Sequence, residues 1–147
     1  MKKNSPDFRP EIIIDTNTFF SALYNPDGNE ALLLEMADRG KCSIQIIDYV
    51  LDELRMVFER EEIDFKLVTD LLDTYENIYI CELEELEYEE IDIAKKNVKD
   101  ASDRPIFIFA YRRIKQNDNV FFVSGDKGFF NDKILELLDN RVYKTKE

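Results

Sequence analysis

Short apolar runs alternate with longer amphipathic segments along most of the chain. Four of the short runs are bounded by polar stretches and are rich in β-branched or aromatic residues, which is typical of strands. The first contains three consecutive isoleucines, as expected of a strand that is buried on both faces. The predicted strands are residues 11–14, 42–47, 77–81 and 120–124, with a short edge strand at 142–145.

The segments between these runs carry apolar residues at helical spacing. After the second strand, Asp48 is a candidate N-cap for a helix with Leu54 and Phe58 on one face. Pro105 is well placed in the first turn of a helix that Asp103 caps. The predicted helices are residues 17–24, 29–40, 48–61, 62–75, 91–99, 104–116 and 131–138.

The regular alternation of strands and helices predicts an α/β fold with a mainly parallel sheet. No composition shift or linker divides the chain, so we expect a single domain over residues 1–147, with residues 1–10 as a short tail. In such sheets, ligands bind beyond the carboxyl ends of the strands.

The composition excludes several kinds of chemistry. The chain has no histidine, which removes Ser-His and Cys-His hydrolases and zinc sites with histidine ligands. We expect its two cysteines, Cys42 and Cys81, to be buried and reduced. Any bound metal would have oxygen ligands, which favours Mg²⁺ or Mn²⁺. No apolar run is long enough for a membrane helix or a signal peptide, so we expect a cytoplasmic protein.

The net charge of −12 argues against a surface that is basic throughout. The acidity is concentrated in residues 52–100, which carry 17 acidic and 6 basic side chains. Residues 104–147 carry 9 basic and 6 acidic side chains. A local basic surface is therefore still compatible with the C-terminal part of the chain.

Four acids fall near the predicted carboxyl ends of the strands. Asp15 directly follows the first strand, and Glu53 lies in the first turns of the helix after the second. Asp103 begins the helix before the fourth strand, and Asp126 follows Ser124 at the end of that strand. Singly, each has an ordinary explanation as a turn residue, a cap or a solvated charge. Together they would need a counter-charge, which a divalent cation supplies.

The four acids stand in four short motifs: Ile-Ile-Ile-Asp-Thr-Asn at 12–17, Val-Leu-Asp-Glu-Leu at 50–54, Asp-Ala-Ser-Asp-Arg-Pro at 100–105 and Val-Ser-Gly-Asp-Lys at 123–127. In this order, the motifs resemble those of the PIN-domain family of ribonucleases. The first resembles the family's opening strand with its Asp-Thr/Ser-Asn signature, and the last resembles its Thr-Gly-Asp. Serine replaces the commoner threonine in the last motif, and Gly128 stands where many members have a further acid.

This resemblance implies a three-layer α/β/α fold and Mg²⁺- or Mn²⁺-dependent hydrolysis of RNA phosphodiester bonds. It implies that the catalytic metal ligands are Asp15, Glu53, Asp103 and Asp126, supported by Thr16, Asn17 and Ser124. Many bacterial members are toxins that pair with a small antitoxin, often as homodimers. We expect the RNA contacts to come from the net-positive segment, at Arg104, Arg112, Arg113, Lys127 and Lys133.

Two other interpretations are compatible with these motifs. A strand followed by Asp-Thr-Asn, with a later Gly-Asp, resembles a haloacid-dehalogenase-type phosphatase. Asn17 stands where that class has a proton-donating acid, and an amide is a poor proton donor. The other alternative is a catalytically weak or inactive PIN-fold module that only binds a partner protein.

Overall fold

A computed structural model describes residues 9–145. Most of the predicted N-terminal tail lies outside this range, and residues 9 and 10 lead directly into the first strand. The strands are β1 Glu11–Ile14, β2 Ser43–Ile47, β3 Ile78–Cys81, β4 Val120–Val123 and β5 Val142–Tyr143. The helices are α1 Thr16–Tyr24, α2 Asn29–Asp38, α3 Asp48–Arg60, α4 Lys66–Thr74, α5 Tyr88–Asn97, α6 Arg104–Gln116 and α7 Asp132–Leu137.

The five strands form one sheet in the order β3-β2-β1-β4-β5, and every neighbouring pair is parallel. In the central strands, consecutive residues are buried although their side chains point to opposite faces of the sheet. Both faces are therefore covered by helices. Ile13 and Ile14 of β1 are 0% and 1% exposed, and Ile46 and Ile47 of β2 are fully buried. The predicted α/β class and the three-layer α/β/α architecture are confirmed.

The order of the strands defines where a ligand site should form. From β1 the chain moves outward through β2 to β3, then returns to the other side of β1 to form β4 and β5. The reversal of direction lies between β1 and β4. In open parallel sheets the connections on either side of such a point diverge and leave a crevice at the carboxyl ends of the strands. In this chain Ile14 is paired with Val123 at that edge.

Several element boundaries differ from the sequence prediction for local reasons. The fourth helix begins at Lys66, not at residue 62, because Glu62 has a left-handed backbone with φ 57° and Asp64 caps the N–H of Lys66. Asp48 is the first residue of α3, not its N-cap. Its carboxylate accepts instead from Tyr49 N–H at 2.8 Å.

Both cysteines are free thiols. Cys42 is buried, as predicted, whereas Cys81 is only half-buried, so the prediction of its full burial was wrong. The reason is its position on β3, an edge strand with a neighbour on one side only. In residues 9–145, no helix combines the length and the apolar character that crossing a membrane requires.

Candidate active site

Asp15 lies at the junction between the central strand and the first helix. It follows β1 directly and is the N-cap of α1, with Oδ1 accepting from Thr18 N–H at 3.0 Å. The side chain is only 8% exposed. A buried carboxylate requires hydrogen-bond donors or a cation, and this position supplies the first donor from the helix N-terminus.

Ser124 connects two of the acids. The pairing of Ile14 with Val123 places Ser124 beside Asp15, and its hydroxyl donates to Asp15 Oδ2 at 2.5 Å. Ser124 Oγ also accepts a hydrogen bond from the backbone N–H of Asp126, at 3.0 Å. Because Ser124 is fully buried, this hydroxyl holds the Asp15 carboxylate and the Asp126 backbone in a fixed relation.

Glu53 is held by the residue that follows Asp15. The Thr16 hydroxyl donates to Glu53 Oε1 at 2.6 Å and so links the start of α1 to α3. Burial raises the pKa of Glu53, and the charges of Asp100 and Asp15 raise it further, while the bond from Thr16 partly offsets this. Thr16 therefore orients a carboxyl group whose pKa is raised, and a nearby cation would favour its ionised form.

Asp103 and Asp126 face each other across the site. Asp103 occupies the N-cap position of α6, but its backbone is helical there and its carboxyl does not cap the helix. Burial raises its pKa to about 7, and a hydrogen bond to Asp126 and the charges of Asp126, Asp100 and Asp15 contribute. Asp126 accepts from Gly128 N–H at 2.8 Å, so it also serves the turn. The predicted capping role of Asp103 was wrong, and its carboxyl is available to the site.

Asp100 is a fifth acid at the site and was absent from the predicted set. It is exposed and caps the short turn before α6, where bonds from the Ser102 N–H and hydroxyl lower its pKa. Its spacing of three residues from Asp103, across a single turn, is the signal that would have pointed to it. Its charge contributes to the raised pKa values of Glu53 and Asp103.

Five acids line one cavity of about 310 Å³, which we call the acidic cavity: Asp15, Glu53, Asp100, Asp103 and Asp126. Met56, Val57 and Arg60 of α3 form part of its wall. Arg60 was also missed by the sequence analysis, although it follows Glu53 by seven residues and so returns to the same helical face. The other lining residues are Thr16, Asn17, Val50, Ser102 and Ile106.

The donor set fits a hard divalent cation. The acids that line the cavity offer only oxygen atoms as ligands, which suits Mg²⁺ or Mn²⁺. Among the residues that the structure describes, no three acidic, cysteine or histidine side chains are placed to hold a metal on their own. Mg²⁺ commonly takes one or two carboxylates directly and keeps several waters, through which other carboxylates can hold it.

The predicted supporting and RNA-contacting residues lie in different places. Asn17 is exposed and lines the acidic cavity. Lys127, also exposed, lines a neighbouring depression together with Asn17 and Asp126. Arg104 donates from Nε to the Val98 carbonyl at 2.9 Å, so it joins the end of α5 to α6.

The remaining three predicted RNA contacts are not beside the acids. Arg112 forms a two-point ion pair with Glu90, at 2.9 and 2.6 Å. Arg113 forms an ion pair with Glu11 at 2.6 Å. Glu11 begins β1, so this pair lies at the amino end of the strand, whereas Asp15 follows its carboxyl end. The exposed Lys133 has its nearest carboxylate at 3.6 Å, on the same helix.

Comparisons with solved structures agree with this fold. The crystal structure of VapBC2 from Rickettsia felis, bound to a DNA fragment from its promoter, is similar with a TM-score of 0.62 at 14% identity, covering 92% of this chain and 99% of that chain. The crystal structure of PAE2754 from Pyrobaculum aerophilum is similar with a TM-score of 0.56 at 15% identity, covering 91% and 83%. No curated protein sequence matches the chain.

The decisive match is to a family model. The model described as PIN domain matches residues 11–127, a stretch that includes all five acids of the cavity and most of the chain. The chain belongs to the PIN-domain family.

Proposed function

We propose that the chain is a single-domain endoribonuclease that uses Mg²⁺ or Mn²⁺ to hydrolyse RNA phosphodiester bonds in the cytoplasm. The observation that carries this proposal is the group of five acids around one cavity at the reversal point of the sheet, with the pKa of Asp103 raised to about 7. A site that concentrates negative charge in this way is suited to a cation and, through it, to a phosphate.

Four carboxylates are proposed to hold the metal, either directly or through its waters: Asp15, Glu53, Asp103 and Asp126. A bound divalent cation would supply a water of lowered pKa and would stabilise charge on the phosphate. Asp15 is held on both oxygens by fixed donors, and each oxygen retains a lone pair. Because the pKa of Asp103 is raised to about 7, a bound cation would favour its ionised form, in which both carboxylate oxygens can act as ligands.

The uncharged polar residues position these groups. The Thr16 hydroxyl occupies Glu53 Oε1 and leaves Oε2 to accept a proton or to hold a metal-bound water. Ser124 fixes Asp15 and the backbone of Asp126 at once. Asn17, exposed in the cavity wall, is suited to donate to a phosphate oxygen.

Cleavage of single-stranded RNA by the purified chain tests this proposal. Wild type should cleave with Mn²⁺ or Mg²⁺ and not with EDTA. The changes Asp15→Asn, Glu53→Gln, Asp103→Asn and Asp126→Asn should each lower kcat/KM by at least about 100-fold, since each removes part of a metal site that supplies several kcal/mol. The matched control is Asp52→Asn, which alters an exposed acid next to Glu53 and should leave activity unchanged.

Two results would count against this function. Full activity in the Asp126→Asn variant would remove that residue from the site. The absence of metal-dependent RNA cleavage in a folded wild-type protein would favour the alternative of an inactive PIN module. Family membership already argues against a haloacid-dehalogenase-type phosphatase.

We further propose that the nuclease is the toxin of a toxin–antitoxin pair and is restrained by a small partner protein, with homodimerisation of the toxin. The likeness in fold to a chain of the Rickettsia felis VapBC2 complex supports the suggestion, together with the family. Expression of the chain alone should slow growth, and co-expression of the product of a small adjacent reading frame should restore it. Normal growth with an active, well-expressed nuclease would indicate a stand-alone enzyme.

A further inference from the structure

Two depressions meet at the acidic centre. The first is the acidic cavity. The second has a volume of about 480 Å³ and is lined by Thr18, Ser21, Glu30, Gly125 and Lys127, together with Asn17 and Asp126. The last two residues also line the acidic cavity. The shared residues show that the two depressions adjoin, and we call them together the trough. Asp126 therefore lies at the middle of the trough and not at one end.

One basic side chain lines each part of the trough, among the residues that the structure describes. Arg60 lines the acidic cavity, and Lys127 lines the second depression. Arg60 is the last residue of α3 and lies roughly 10 Å along the helix axis from Glu53, at about 1.5 Å per residue. The two cations therefore line different depressions of the trough.

Both cations are available to a ligand. The Arg60 side chain is 70% exposed, and its contact with Glu61 is 3.6 Å long and itself exposed. Exposed pairs of this kind contribute little and exchange readily for a better partner. Lys127 is also exposed. By contrast, Arg112 and Arg113 are held in short ion pairs away from the trough.

An apolar surface adjoins Arg60. Met56 is 69% exposed although it lies in the wall of a polar cavity, and the half-buried Val57 lies beside it. An exposed thioether next to a guanidinium offers a flat, polarisable contact for an aromatic ring. Neither side chain is needed for the core, since Leu54 and Phe58 face inward from the same helix.

We propose that a single strand of nucleic acid lies along the trough, with Arg60 and Lys127 each contacting a phosphate on either side of the one held at the acids. Met56 packs against the base next to Arg60. A polyanion is the favoured occupant, because each depression of the trough has an exposed basic side chain, while the net charge of −12 disfavours a polyanion on the rest of the surface. This inference rests on the proposed ribonuclease function and adds the path of its substrate.

Binding, measured apart from cleavage, tests the path. Fluorescence anisotropy of a labelled RNA of about 12 nucleotides is followed with the Asp15→Asn protein in Mn²⁺. Added to this background, Arg60→Ala and Lys127→Ala should each weaken binding about tenfold at low salt and reduce the salt slope by about 0.7. Met56→Ala should weaken binding about fivefold or more without changing the slope.

The control is Arg39→Ala, which removes an exposed arginine at the end of α2, outside the trough. Unchanged affinity and slope in the Arg60→Ala protein would overturn the proposal, and so would an equal loss in the control. Tighter binding of an oligoarginine peptide to the Arg60→Ala protein, with RNA binding unaffected, would assign the trough to a basic partner segment instead.

Cleavage by otherwise wild-type protein separates this inference from the proposed function. If RNA is cleaved but Arg60→Ala and Lys127→Ala leave KM unchanged, the path is wrong and the ribonuclease function stands. If these variants lose RNA binding while wild type cleaves nothing in Mn²⁺, the path stands and the catalytic proposal fails. All three substituted side chains are exposed, so the variants should fold, as an unchanged thermal midpoint would show.

Discussion

Replacing Asp103 with asparagine should inactivate the protein and at the same time stabilise it in the absence of metal. The pKa of Asp103 is raised from 3.8 to about 7 in the folded state. Between these two pH values the folded chain binds a proton that the unfolded chain has released, so stability falls as pH rises through this window. Asparagine has no such proton and removes the penalty.

The size of the effect follows from the shift. A pKa shift of roughly 3 units, at about 1.36 kcal/mol per unit, limits the loss of folding stability caused by ionised Asp103 to about 4 kcal/mol. Asp103 is only half-buried, and solvent screening reduces this to about 2 kcal/mol. For a chain of 147 residues this corresponds to a difference in midpoint of roughly 6 °C.

Thermal unfolding from pH 4 to pH 8 in EDTA would measure this difference. The Asp103→Asn protein should be the more stable one at pH 8, and the gap should close towards pH 4. Saturating Mn²⁺ should reverse the order, because only wild type has the full ligand set. The exposed Asp118 gives a control, Asp118→Asn, for the effect of removing one charge. A gap that is absent at pH 8, or that does not vary with pH, would refute the reasoning.

Three further changes probe individual contacts. Thr16→Val removes the donor to Glu53 and should lower kcat about tenfold or more in RNA cleavage assays, with little change in the thermal midpoint. Ser124→Ala removes the hydrogen bonds of this hydroxyl to Asp15 Oδ2 and to the Asp126 N–H, and it should lower the free energy of unfolding in urea by about 1–3 kcal/mol. Glu90→Gln should cost about 1–2 kcal/mol at pH 7, since Arg112 lowers the pKa of Glu90. That stability is present above the ordinary carboxyl pKa and is lost as pH falls through the lowered pKa of Glu90, so the difference in stability between the two proteins should disappear at acidic pH. Equal stability at pH 7 would show that the pair contributes nothing.

The strands and the neighbourhood of the acids follow from the sequence because they depend on local pattern. A β-branched run that leads directly into Asp15 specifies both a buried strand and a carboxylate at its end. The start of α4 does not follow. The left-handed backbone of Glu62 belongs to the end of α3, where the Ile63 N–H donates to the Phe58 carbonyl, and it has no signature in the residue type.

The basic residues are the part that sequence reasoning placed least well. Regional net charge favoured Arg112 and Arg113, but charge summed along a chain does not say which ion pairs form in space. Arg60 lies in the most acidic segment of the chain, so regional net charge did not indicate it. Its spacing of seven residues from Glu53 would have placed it on the same helical face. Position on a helix face was the better guide than local charge.

The bond between Ser124 and Asp15 joins residues 109 positions apart in the sequence, and it has a consequence during synthesis. A chain that is still emerging from the ribosome has Asp15 and Glu53 exposed long before β4 exists to pair with β1. The carboxylates can converge only when that last central strand has been made. If the chain is the ribonuclease that we propose, it should remain inactive towards the messenger and the ribosomal RNA around it until translation is almost finished. Products that end before residue 120 should accordingly be unable to cleave RNA.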